Sequence, residues 1–120
     1  MTVQNALAGV AVTDLKASKA WYEKLFGRQP DTNPMSELFE WKFPTGGWLQ
    51  LFENRNLAGS SSVTLVENDF KKRVSELKSA RYDIKKLVES EKINVAIIED
   101  PDGNQVVFAQ GKGEQHKAVE

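Results

Sequence analysis

Apolar residues come in short runs along this chain, and the period of each run switches between about two and about 3.6 residues. Leu7 to Val12 is a short run suited to a strand; Asp14 then serves as the N-cap of a helix through Leu25, which Gly27 stops. After Pro30 and Pro34 the segment ELFEWKF sets Phe39, Trp41 and Phe43 in alternation with Leu38, Glu40 and Lys42, the period of a strand. Pro44 to Gly47 turns the chain, and WLQLF at 48–52 returns as a second hairpin strand. In it Trp48, Gln50 and Phe52 lie on one face and Leu49 and Leu51 on the other. Asn54 to Ser61 is small and polar, a loop near mid-chain.

The order then repeats. SVTLVE at 62–67 reads as a strand, and Asp69 caps a helix whose Phe70, Val74 and Leu77 fall at i, i+4 and i+7. A weaker strand lies around Tyr82 to Val88, followed by INVAIIE at 93–99, a DPDGN turn and QVVFAQ to Gln110. Asp14 and Asp69 are 55 residues apart and Gly47 and Gly103 are 56 apart, so one frame relates the halves and indicates an internal duplication. The organisation expected is one domain over 1–112, with module one at about 1–54, module two at about 61–110 and a polar tail at 113–120.

Composition restricts the partners. A chain of 120 residues fits one domain. Sixteen basic against 17 acidic residues give a net charge of -1, which offers no footprint for nucleic acid or an anionic membrane. A small-molecule or protein partner is expected instead. No apolar run reaches the roughly 18 residues needed to span a bilayer, and the start of the chain lacks the basic flank of a signal peptide, so a cytoplasmic protein is expected. With no cysteine, disulfides, thiolate metal sites and cysteine nucleophiles are all excluded.

Three segments, VTDLKASKAWYEKLFG at 12–27, GGWLQLFEN at 46–54 and DPDGNQVVF at 100–108, resemble the glyoxalase/bleomycin-resistance superfamily, also called vicinal oxygen chelate. DPDGN before a terminal strand is the most specific of them. The resemblance implies an α+β fold of two βαβββ modules. Their strands form an open, U-shaped half-barrel sheet with helices on the convex side and ligand on the concave side, often in a homodimer.

In metal-dependent members of that family the ligands come from the first and last strands of each module. Carried over by frame, those positions here hold Leu7, Gln50, Ser62 and Val107. Gln50 stands in LQL where relatives read like LEL. Transition metals need imidazole, thiolate or carboxylate donors, and two neutral oxygens beside Leu and Val are not such a set. Neither a metal nor another cofactor is expected.

Other candidates reduce to structure or solvent. His116, the only histidine, lies in the polar tail and reads as solvated. Glu53 reads as a surface acid, Glu40 lies within the preceding strand, and Asp100 and Asp102 hydrogen-bond their own turn. GKG at 111–113 lacks the setting of a phosphate loop. No nucleophile and base pair can be named.

If Gln50 points inward, alternation takes Trp48 and Phe52 with it, and the frame adds Leu7, Gly9 and Ala11, then Ser62, Thr64 and Val66, then Gln105, Val107 and Ala109. Phe39, Trp41 and Phe43 join if their aromatic face is the inward one. The expected ligand-binding set is Leu7, Phe39, Trp41, Trp48, Gln50, Phe52, Ser62, Thr64 and Val107, a neutral and aromatic lining suited to a flat or apolar small molecule. The leading expectation is therefore a metal-free binding protein similar to bleomycin-resistance proteins, though a neutral cleft does not suit cationic bleomycin. Two alternatives are a glyoxalase-type lyase, isomerase or dioxygenase with an atypical site, and a structural or regulatory dimer whose own side chains fill the cleft.

Overall fold

The computed structural model describes residues 2–112. Ten elements follow in order: β1 (Leu7–Val12), α1 (Leu15–Phe26), β2 (Thr32–Met35), β3 (Leu38–Lys42), β4 (Trp48–Glu53), β5 (Ser62–Val66), α2 (Phe70–Ser79), β6 (Lys86–Glu89), β7 (Ile93–Glu99) and β8 (Gln105–Gly111). They form two four-stranded sheets, ordered β1-β4-β3-β2 and β5-β8-β7-β6. The second order is the first repeated, so the duplication in the sequence is a duplication of βαβββ topology. No helix among the described residues is long and apolar enough to cross a membrane.

The chain divides into two compact units, one of residues 1–63 with the Asp100–Asn104 turn, the other of Thr64–Glu99 with the chain from Gln105 onward. In the first, β1 runs parallel to β4, while β3 pairs antiparallel with β4 and with β2. Both signals read for α1 act as expected. The Asp14 carboxylate accepts from the Ala17 N–H at 3.1 Å, and Gly27 takes the left-handed conformation at φ 70° that a side chain disfavours. The helix buries Leu15, Tyr22 and Leu25 against the sheet face that carries Val10, Val12, Leu49 and Leu51.

The aromatic face of β3 belongs to this packed side, which corrects the expectation for Phe39, Trp41 and Phe43. Phe39 pairs with Leu51 and Trp41 with Leu49, so both point where the leucines point, toward α1. Trp41 is fully buried, its ring centroid 5.5 Å from Phe26 and 6.2 Å from Tyr22, and Phe43 lies 5.6 Å from Phe26. Phe39 sits under the Lys19 ammonium at 5.2 Å. In an antiparallel ladder directly opposed residues share a face, so the buried leucines of β4 dictate the choice.

Strand β2 was not legible in the sequence because Pro34 lies inside it. Proline cannot donate to a ladder and is tolerated on an edge, which is where β2 lies. The weak strand expected around Tyr82 to Val88 is the shorter β6, beginning only at Lys86.

In the second unit, β8 pairs antiparallel with β7, and β7 with β6. Ala96 and Ile98 lie opposite Phe108 and Val106, and these four are buried, as are Phe70, Val74 and Leu77 of α2. Asp69 caps α2 by accepting from Lys72 N–H at 3.2 Å. The other face of this sheet carries Val95 and Ile97 opposite Ala109 and Val107.

Candidate functional site

The DPDGN motif builds a buried polar knot in the first unit. Asp100 Oδ1 accepts the N–H groups of Asp102 and Asn104, each at 2.9 Å, while Oδ2 accepts the Tyr22 hydroxyl at 2.9 Å and the Asn104 amide at 2.8 Å. Burial, then the adjacent Asp100 carboxylate, raises the Tyr22 pKa far above that of an ordinary phenol, so it stays a neutral donor. Asn104 is fully buried and uses its whole amide: Nδ2 also donates to the Ala11 carbonyl at 2.8 Å, and Oδ1 accepts from Gly59 and Ser61 N–H at 3.0 and 2.9 Å. Asp102 departs from the expectation that it serves its own turn. It accepts from Thr13 Oγ1 at 2.6 Å and Thr13 N–H at 3.2 Å. With no unused group facing solvent, this knot is structural.

The opposite face of the first sheet holds the candidate site. Register places Leu7 opposite Trp48, Gly9 opposite Gln50 and Ala11 opposite Phe52, and across β4 it sets Lys42, Glu40 and Leu38 against the same three residues. The expected grouping of Leu7, Trp48, Gln50 and Phe52 therefore stands together on one face, whereas Phe39 and Trp41 lie on the other. Gly9 lets the Phe52 ring lie close, since a Cβ there would meet Phe52 Cε1 at 3.3 Å. Trp48 lies beneath the Lys42 ammonium, which stands 4.2 Å from its ring centroid, so Trp48 already stacks on a cation of its own chain.

At the Phe52 end an open depression of about 510 Å³ is lined by Met35, Glu37, Leu38, Gln50, Phe52 and Glu53. Met35, Leu38 and Phe52 give it an apolar wall. Glu53 was expected to be a solvated acid; its Oε1 instead accepts from Leu15 N–H at 3.2 Å, satisfying one of the unpaired donors that open α1. Beside the depression, Gln50 Nε2 donates to Glu40 Oε2 at 2.8 Å, and Thr32 Oγ1 donates to Glu40 Oε1 at 2.7 Å. Glu40 is only 7% exposed. A carboxylate held this deeply needs partners for both oxygens, and these two side chains supply them. The face is thus not neutral, as the sequence suggested, but carries a buried acid next to Gln50.

Ser62 and Thr64 are exposed on β5, and Val107 is half-buried on β8 opposite Ile97. His116 lies outside the described residues. The residue types at the four family metal positions do not fit a divalent transition metal: Leu7 and Val107 have no donor atom, and Gln50 and Ser62 have only neutral ones. Among the described residues no group of three or more His, Asp or Glu side chains could hold a metal ion.

The model of the Glyoxalase/Bleomycin resistance protein/Dioxygenase superfamily matches residues 4–108. The chain belongs to that superfamily. Its structure is similar to a glyoxalase/bleomycin resistance protein from Catenulispora acidiphila DSM 44928, with 28% identity over 92% of this chain and 100% of that one, and a TM-score of 0.82. TnmS3, an antibiotic binding protein from Streptomyces sp. CB03234, shares 18% identity over 93% of this chain and 99% of its own, with a TM-score of 0.76. A lactoylglutathione lyase from Agrobacterium tumefaciens shares 17% identity over 92% and 95%, with a TM-score of 0.75. At such identities the last two show a common fold and no more. A comparison with curated protein sequences finds no match.

Proposed function

We propose that this superfamily member is a metal-independent small-molecule-binding protein whose ligand, apolar or aromatic, lies in the depression beside Gln50. The observation that carries this reading is the coexistence, in one open depression, of the apolar groups Met35, Leu38 and Phe52 with the Gln50 amide at a position where metal-dependent relatives place a ligand. Such a surface can bury a flat body and orient it through a few polar atoms. The neutral donors at the family metal positions support binding over metal-assisted chemistry. TnmS3, an antibiotic binding protein of similar fold, supports the binding reading. A homodimer is the assembly we expect, in line with the exposed apolar side chains Val66 and Ile93, and sedimentation velocity reads it directly.

Met35 supplies the probe. Methionine is present only at positions 1 and 35, so protein labelled with ¹³C-methyl methionine gives two signals, one of them in the depression. A panel of aromatic small molecules should shift the Met35 methyl. If no compound moves it, the depression is not a binding site. Titration with Zn or Ni should show no stoichiometric, tightly held ion, and one that survives dialysis would overturn metal independence.

A further inference from the structure

The hydrogen bonds beside the depression specify the chemistry of the ligand as well as its place. An ionised carboxylate can only accept, so the Gln50 group facing Glu40 at 2.8 Å must be its NH₂ end. The orientation of the amide is thereby fixed by chemistry: a flipped amide would set two acceptors against each other. Glu40 has no freedom to turn away, because it is buried and its other oxygen is held by Thr32 Oγ1 at 2.7 Å. With Nε2 committed, Gln50 Oε1 is the end of the amide directed away from Glu40, and among the described residues no donor reaches it. The polar atom that Gln50 leaves for a ligand is therefore its carbonyl oxygen, an acceptor.

Resting on the binding reading above, we propose that Glu40 is a positioning residue which locks Gln50 as a hydrogen-bond acceptor, so that the site selects apolar ligands bearing an N–H or O–H donor over shape-matched ligands bearing an acceptor. A bare apolar wall would not discriminate between the two. A site with an acceptor held at a fixed place does, because an acceptor brought to the same place sets two oxygens against each other.

Indole and benzofuran make the test, since they share size and shape and differ in an N–H against a ring oxygen. Titrated against the Met35 methyl signal, indole should bind on the order of tenfold tighter, the ratio that one net hydrogen bond supplies. In Glu40→Gln the residue at 40 can donate as well as accept, Gln50 is free to flip, and the ratio should fall to within about threefold. Gln50→Leu should abolish the ratio while benzofuran still binds. The ratio is the decisive readout, because a merely structural role for Glu40 would weaken both ligands together. Equal affinities in the wild type, or a ratio unchanged in Glu40→Gln, would overturn the lock and leave the binding reading intact. Failure of both compounds to shift Met35 would remove the two together.

Discussion

Replacing Asn104 tests whether the polar knot of DPDGN is what holds the first unit together. Its amide makes four side-chain hydrogen bonds: from Gly59 N–H, from Ser61 N–H, to the Ala11 carbonyl and to Asp100 Oδ2, all between 2.8 and 3.0 Å. The side chain is fully buried, so Asn104→Ala leaves these groups without their partner and out of reach of bulk water. Each orphaned buried group costs about 1–3 kcal/mol, and the vacated space admits a water that recovers part of it, so a net loss of about 3–5 kcal/mol is expected. That is a large share of the roughly 5–15 kcal/mol by which a domain is stable. Urea unfolding followed by tryptophan fluorescence measures it.

Asn104→Asp separates hydrogen bonding from volume. The isosteric carboxylate keeps both accepted N–H bonds but turns the donor at 2.8 Å from Asp100 Oδ2 into a second anion. Two carboxylates at that distance must share a proton, which raises the folded-state pKa of the pair above the roughly 3.9 of an unfolded aspartate. The sign follows from linkage: a raised folded pKa gives stability that is present below about pH 4 and lost as pH rises through the folded value. The deficit of Asn104→Asp relative to wild type should therefore shrink on going from pH 7 to pH 4, and by more than that of Asn104→Ala, which loses only a donor to Asp100. A loss below about 1 kcal/mol in Asn104→Ala, or a pH-independent deficit in Asn104→Asp, would refute the reasoning.

Two further substitutions probe the same unit. Tyr22→Phe removes one donor from the Asp100 carboxylate and should cost about 1.5–3 kcal/mol at neutral pH. Burial raises the Tyr22 pKa above that of the unfolded chain, so its stabilisation is present below about pH 10 and lost above it; the variant should show a shallower alkaline decline in denaturant midpoint, with the Tyr82 phenol, also raised by burial, accounting for part of what remains. Gly59→Ala should cost about 2 kcal/mol or more in the same assay, because Gly59 sits at φ 93° and a Cβ there would lie 2.7 Å from the Asp102 carbonyl oxygen; an unchanged midpoint would mean that the loop relaxes freely.

Much of the fold was legible because its signals are local. Asp14, Gly27 and Asp69 act through neighbours three or four residues away, so their caps can be read from spacing alone. The alternation in WLQLF also survives folding intact, with Leu49 and Leu51 buried and Trp48, Gln50 and Phe52 half-buried. What period two cannot say is which face of a strand is which. ELFEWKF has an aromatic face and a mixed face, and alternation alone leaves open which is inward; pairing with Leu49 and Leu51 sends the aromatics toward α1. The hidden clue was Tyr22 and Phe26 at i and i+4 on α1, an aromatic stripe that needed aromatic partners across the interface. Glu40 was passed over for the same reason, since its meaning comes from standing opposite Gln50 in a register that no single strand reveals.

Cross-strand pairing also changes how the altered metal position is understood. With Gln at 50 in place of an acid, the sequence reads as a loss of charge from the site. In the fold a carboxylate is present all the same, one strand away, opposite Gln50. Both Glu40 oxygens are occupied, one by Thr32 and one by Gln50, and the side chain is buried behind the amide it orients. A cation could reach the Glu40 carboxylate only by breaking the hydrogen bonds that stabilise it in the interior. In the proposed reading, the arrangement that occupies both Glu40 oxygens also holds the Gln50 amide with its carbonyl end outward. On that reading the face asks for positive polarity, which an N–H or O–H donor meets without displacing either hydrogen bond of Glu40.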